Sequence, residues 1–247
     1  MRVWIKRGNE RPLSAVPWPV AVVLAAALCT QIAWQAASLP PRASAAALGA
    51  PPPPAILRIA ALGDPIALGA AFALYLQAFD NQPGISIPYR ELDYARVVAW
   101  LETALALDPK GQYPLMMAAH LYGQVPDETR QRLMLDFVHR KFLEDPNRRW
   151  RWLAHAALVA KHTLRDGPLA LRYADDIARY AGSAQGWARQ MRIFILEDMG
   201  EREAATVLLG GLLASGEVTD AAEARFLAER LEKLKNVEKS SGASGFR

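Results

Sequence analysis

At 247 residues, with 52% of them apolar and no long β-branched runs, the chain has room for one sizeable core and an Ala/Leu-rich alphabet that favours helix over sheet. The basic balance looks like a nucleic-acid signal, but Arg2, Lys6, Arg7 and Arg11 against Glu10 place +3 of the formal +4 within residues 1–16. The near-neutral remainder excludes a general phosphate-binding surface and any expectation of a nucleic-acid partner, and a single cysteine, Cys29, excludes an internal disulfide or a thiolate metal site.

In chain order, a basic tail over 1–17 comes first and is expected to be cytoplasmic. From Pro12 to Pro41 no residue is charged, and the 22 residues Trp18–Leu39 would span roughly 33 Å as a helix, enough for a hydrocarbon core of about 30 Å. Trp18 and Trp34 lie near its two ends, where amphipathic rings favour the interface. Upstream cations outnumber Arg42 and Arg58 downstream, so the expected topology is single-pass, with the N-terminus inside and the body outside the cytoplasm. A cleaved signal peptide is the rival: the densest apolar run, Val20–Cys29, has the length of a signal's apolar region, and Ala43-Ser44-Ala45 offers a small-x-small site, although it lies far beyond that run. Either reading sends the body across the membrane.

Residues 40–58, with Pro51-Pro52-Pro53-Pro54, predict an extended Pro/Ala-rich spacer. A helical domain follows over 59–236. Asp64-Pro65 starts a helix with Leu68, Phe72, Tyr75, Leu76 and Phe79 on one face, and Asp80 to Gly84 breaks it. The next helix, about Glu91–Leu107, carries Tyr94, Val98, Leu101 and Leu105 on a stripe and stops at Asp108-Pro109. Gln112–Tyr122 reads as a short apolar helix. Pro126-Asp127-Glu128 opens another, with Leu133, Phe137, Val138 and Phe142 inward. Arg148–Thr163, Leu169–Ala181, Ala184–Met199 (Trp187, Met191, Phe194 and Ile195 inward) and Arg202–Leu213 continue the series. Gly210-Gly211 within the last of these predicts a close neighbouring helix, since each glycine costs about 1 kcal/mol against alanine. Asp220 with Glu223 reads as a capping box for a final helix with Phe226, Leu227, Leu231 and Leu234 inward. Residues 237–247, rich in Ser and Gly, are expected to be disordered.

One phrase occurs twice. Leu105-Ala106-Leu107-Asp108-Pro109-Lys110-Gly111-Gln112-Tyr113 is echoed 37 residues later by Phe142-Leu143-Glu144-Asp145-Pro146-Asn147-Arg148-Arg149-Trp150, and such a pitch points to stacked helical hairpins. Val97, Leu101 and Ala104 before Pro109, Ala119 and Tyr122 after it, and Gly200, Ala205 and Leu209 near the end fall at the small, bulky and aromatic positions of a helix-pair pattern. Over about 78–216 the chain thereby resembles tetratricopeptide repeats (TPR), departing from them at Lys141, where a small residue belongs, and in a third pair without a closing Asp-Pro. With the apolar N-terminal stretch, the resemblance gives the expected all-α fold, an N-terminal transmembrane helix followed by an α-solenoid of TPR-like hairpins. It also implies a concave surface, lined by the first helix of each pair, that holds a peptide or another protein.

No enzymatic chemistry is legible. His120, His139, His155 and His162 are at least seven residues apart with no metal-ligand spacing, and Asp175-Asp176 point apart on a helix. No metal and no cofactor are expected. The local oddity is Arg148-Arg149-Trp150-Arg151-Trp152: three cations in the opening turn of a helix oppose its dipole by about 0.3–1 kcal/mol each. Local pairing with Glu144 or Asp145, with the tryptophans in the core, would offset this. So would a docking patch in which Arg148, Arg149, Arg151 and Trp152 receive an anionic partner. The expected function is a membrane-tethered scaffold for protein partners of an envelope assembly, on the extracytoplasmic side of a bacterial inner membrane. Binding of a cell-wall or exported polysaccharide through the Arg/Trp cluster is the alternative.

Overall fold

A computed structural model describes residues 17–37 and 45–244. Most of the basic tail, Ser38 and Leu39 of the expected span, the start of the spacer with two residues of the cleavage motif, and residues 245–247 lie outside the described residues. The chain divides into two units, 1–44 and 45–247. It is mostly helical, with eleven α-helices among the described residues.

In the first unit, α1 (Trp18–Ala37) is uncharged and buries no side chain. Its Thr30 hydroxyl donates to the Ala26 carbonyl (2.8 Å), so a polar group in the middle of the helix is satisfied internally. Twenty residues make about 30 Å, long and apolar enough to cross a bilayer. An anchor and a signal sequence both meet that description.

The second unit begins with a correction. The segment from Ala45 to Pro53 is not a free spacer: Leu48 is buried, the Gln82 side chain bonds both the Ala46 N–H (2.8 Å) and its carbonyl (3.0 Å), and Trp100 Nε1 donates to the Gly49 carbonyl (2.9 Å). A proline run cannot continue a helix beyond its first turn, but it still offers carbonyls and an apolar surface for packing. Helix α2 (Pro54–Ala60) then turns through 110° into α3 (Pro65–Ala78), with Leu62 and Gly63 at positive φ (47° and 89°) between them. A short hairpin follows, β1 (Asn81–Gln82) antiparallel to β2 (Ile85–Ser86), with Asn81 opposite Ser86.

From there the helices run α4 (Tyr94–Leu107), α5 (Tyr113–Met116), a π turn (Met117–Leu121), a 3-10 turn (Tyr122–Gln124), α6 (Glu128–Glu144), α7 (Pro146–His162), α8 (Gly167–Tyr180), α9 (Gly186–Asp198), α10 (Arg202–Ser215) and α11 (Ala221–Ser244). Aspartate starts many of them. Asp64, Asp93, Asp127, Asp166 and Asp220 each accept a backbone N–H two or three residues on, at 2.7–3.0 Å, satisfying donors that a helix start leaves open. Packing follows chain order: α3 on α4, α6 on α7, α7 on α8, α8 on α9, α9 on α10 and α10 on α11. One core runs from Leu48 to Ile195, and a second gathers Ile193, Leu196, Ala205, Leu209, Leu227 and Leu234. At the centre of the first, the Tyr122 hydroxyl donates to the Leu76 carbonyl (3.1 Å) and the Tyr94 hydroxyl to the Tyr122 carbonyl (3.3 Å). Burial pushes the Tyr94 phenol up to about 12 and that of Tyr122 higher still.

Several local expectations fail for identifiable reasons. Leu133 is exposed, because the inward stripe of α6 is Gln131, Met134, Leu135, Phe137, Val138 and Phe142. Trp187 is 50% exposed, lying edge-on to Trp150 with its Nε1 on Gln185 (2.7 Å), and Phe226 is 55% exposed beside Phe194. Nothing lies within 4 Å of where a Cβ would sit on Gly210 or Gly211, so no helix packs close there. The close approach occurs at Gly69, where a Cβ would lie 3.1 Å from the Ala104 carbonyl of α4. Only half of the Asp220 capping box forms, as Glu223 Oε1 accepts from Gln190 Nε2 (2.6 Å). The tail expected to be disordered from Val237 is helical as far as Ser244. Extending a helix costs far less than starting one, and no glycine intervenes before Gly242.

Candidate partner-binding surface

The two Asp-Pro corners differ. After Asp108-Pro109 the chain loops through Lys110-Gly111, with Asp108 Oδ1 accepting from the Lys110 N–H (3.2 Å), before α5 begins. At Asp145-Pro146 there is no loop: Asp145 ends α6 and starts α7, and Pro146 is already its first residue. The arginines therefore enter α7 one turn after α6 ends, and that junction determines their roles.

Arg149 is 4% exposed. Its Nη1 donates to the Lys141 carbonyl (2.6 Å) and to Glu144 Oε2 (2.9 Å), and its Nη2 to the Pro109 carbonyl (2.9 Å). Lys141 belongs to the last turn of α6, whose carbonyls have no partner within the helix, and Pro109 follows the end of α4. One guanidinium thus caps α6 and ties its end to the preceding corner, where a cation is favourable. Arg148 Nε pairs with Asp145 (2.9 Å). Arg151 is exposed, its guanidinium 5.4 Å from the Trp150 ring centroid. Trp150 is buried. Trp152 is half-buried, and its Nε1 donates to Gln112 Oε1 (2.6 Å). Arg148, Arg149, Arg151 and Trp152 therefore do not share one surface: Arg149 is an internal clamp beyond a partner's reach, and the cost of its charge near a helix start is offset locally.

What Trp152 does join is a row that sequence spacing did not indicate. His120, on the π turn, stacks on His155 of α7 (centroids 3.7 Å apart, planes 24°) and stands edge-on to Trp152 (5.9 Å, 89°). Gln124 Nε2 lies 3.1 Å from His155 Nε2, and His155 also bonds the Ala119 backbone. Those two bonds suit a neutral ring that donates to a carbonyl and accepts from the amide. Gln112 holds Trp152, and the adjacent Tyr113 hydroxyl donates to Gln77 Oε1 of α3. The row Gln77, Tyr113, Gln112, Trp152, His120 and His155 thus crosses α3, the α5 region and α7. A π turn offsets side chains from the regular helical stripe, which is how such turns re-aim residues. The only signal for it in the sequence was the crowding of Gln, Tyr and His around 112–124.

Burial, and next the neighbouring His120, lower the His155 pKa below the usual imidazole value, while the Ala119 bond opposes this. The two stacked imidazoles offer ring faces and ring nitrogens for stacking and hydrogen bonding. Elsewhere the titratable groups pair structurally. His139 Nε2 is 2.7 Å from Asp176 Oδ2, joining α6 to α8. Asp175 faces Arg192 (3.8 Å), with burial as the main cause raising its pKa, so the two adjacent acids do point apart. Among the described residues no group of three or more His, Cys, Asp or Glu could hold a metal ion. No protein family, curated protein or solved structure matches this chain.

Proposed function

We propose that the chain is a non-enzymatic, TPR-like helical-repeat scaffold, tethered by α1 to a bacterial inner membrane, that holds a partner protein on the extracytoplasmic side. The observation that carries this reading is the spacing of cross-helix partners. Tyr113 with Gln77 and Ser183 with Asn147 are each 36 residues apart, Asp198 with Lys161 37, and Trp152 with Gln112 40. Hairpins stacked at a pitch near 37 residues would bring such positions together again and again. Two of these pairs, Tyr113 with Gln77 and Trp152 with Gln112, belong to the row from Gln77 to His155, which offers a peptide amide donors, an indole and imidazole faces. The α1 helix supplies the tether, and the cation bias before it supports the orientation.

The alternative of polysaccharide binding loses ground, because Trp150 and Arg149 are buried and Trp152 is half-buried with its Nε1 held by Gln112. A photo-crosslinking residue placed at Tyr113 or His120 in intact cells tests the scaffold reading. Discrete adducts with one envelope protein from these positions, and none from Phe226, are expected. Equal adducts from all three, or none from the row, would refute it. A C-terminal reporter active only in the cytoplasm would refute the orientation.

A further inference from the structure

We propose that α2, the turn after it and the start of α3 form a second membrane contact, a foot that lies in the lipid interface. Ile56 (54% exposed), Ile59 (76%), Leu62 (92%) and Ile66 (59%) project from this corner. Leu62 sits at its tip with a positive φ that a leucine adopts only at a cost. Across the whole of Pro54–Ala78 only Arg58 and Asp64 are charged, and Asp64 is occupied in capping α3. Taken together the two helices are apolar enough to cross a membrane, yet they are bent by 110° and α3 buries Gly69, Ala73 and Leu76. Seven residues of α2 reach only about 10 Å, and fourteen of α3 about 21 Å. Such an element lies in the interface, with its apolar residues about 5–10 Å deep, rather than spanning.

Lipid is the occupant because of what the chain places next to this corner. Residues 45–53 are fastened to the domain through Ala46, Leu48 and Gly49. Only the seven residues 38–44 separate that segment from the end of α1, a length that covers at most about 25 Å fully extended. A domain held so close to a bilayer keeps an exposed Ile/Leu corner at high effective concentration against lipid. This inference rests on reading α1 as a bilayer span.

The test uses the full chain in phosphatidylethanolamine/phosphatidylglycerol vesicles, with nitroxide labels at Leu62→Cys or Ile66→Cys in a Cys29→Ser background. Val207→Cys, exposed on α10, is the aqueous control, and native Cys29 reports on α1. Both corner labels should collide with dissolved oxygen and be shielded from a water-soluble nickel chelate about ten-fold more than the Val207 label, as for side chains at the acyl boundary. Corner labels that behave like Val207 while Cys29 lies in hydrocarbon would overturn the foot and leave the anchor standing. A Cys29 label in water would overturn both. Shielded corner labels with little oxygen contact and label–label broadening would mean that a second copy covers this face, which also overturns the proposal.

Discussion

Replacing Arg149 by alanine separates a structural clamp from a docking residue. The guanidinium donates to two backbone carbonyls, those of Lys141 and Pro109, in a site where the residue is 4% exposed. Each buried acceptor left without its donor costs about 1–3 kcal/mol, and truncating the arginine stem adds lost packing. The third partner, Glu144, is a half-exposed carboxylate that water can solvate once the arginine is gone, so its pairing adds little. Relief from desolvating the guanidinium offsets part of the loss. A net destabilisation of about 2–4 kcal/mol follows, which in a helical domain of this size lowers Tm by about 2–4 °C per kcal/mol. Arg148→Ala and Arg151→Ala, in exposed positions, should shift Tm by no more than about 1–2 °C. Thermal melts followed by circular dichroism in one detergent give the comparison directly. Equal melting for Arg149→Ala and Arg151→Ala would refute the clamp, and a normal melt for Arg149→Ala with lost partner capture would restore the docking patch.

The burial that lowers the His155 pKa makes stability pH-dependent with a definite sign. Above the unfolded value of 6.5 both states hold a neutral ring and nothing changes, whereas below it the unfolded chain takes up a proton that the folded ring resists. Urea midpoints should therefore fall further for the native chain than for His155→Gln as pH drops from 7.5 to 5, and parallel curves would refute this. Gly210→Ala and Gly211→Ala, in an open stretch of α10, should each stabilise by about 0.5–1 kcal/mol through backbone entropy, and a lowered Tm would reveal an undetected neighbour. Tyr122→Phe removes the phenol donor to the Leu76 carbonyl, which keeps the Phe79 N–H (3.3 Å), and should cost about 0.5–1.5 kcal/mol, read from the denaturation midpoint, whereas the exposed Tyr113→Phe should cost far less.

What the sequence made legible is what local chemistry decides. Aspartate before a helix has few roles other than capping, so Asp64, Asp127 and Asp220 marked true starts. The Asp-Pro corners marked true ends, because proline restricts the residue before it. The readings that failed depend on contacts far along the chain. The spacer composition of 45–53 describes an isolated segment, but Leu48 is buried in the core and the Gly49 carbonyl meets Trp100 some fifty residues later. The His120–His155 stack joins positions 35 apart through a π turn that no periodicity announces. The arginine cluster was readable as an electrostatic anomaly, yet its resolution needed the ends of α4 and α6 to meet, and only the fold brings those carbonyls to one guanidinium.

The two ends of the helical series differ in a way that bears on how it is used. A row of stacked hairpins leaves an uncovered face at each end, and in water such a face has to be polar. At the C-terminal end, α11 buries Leu227 and Leu234 and turns Arg225, Glu229, Glu232 and Lys233 outward, and Arg230 forks onto Glu197 of α9 (2.6 and 2.9 Å) to hold it there. At the N-terminal end, Ile56, Ile59, Leu62 and Ile66 face outward with no comparable charges. An uncapped end exposed to water would promote association between copies. Placed against lipid, the same residues cap the row as well as charges would. The apolar end is also the one covalently nearest α1. The proposed lipid contact therefore accounts for an apolar N-terminal end of the series where the C-terminal end is charged.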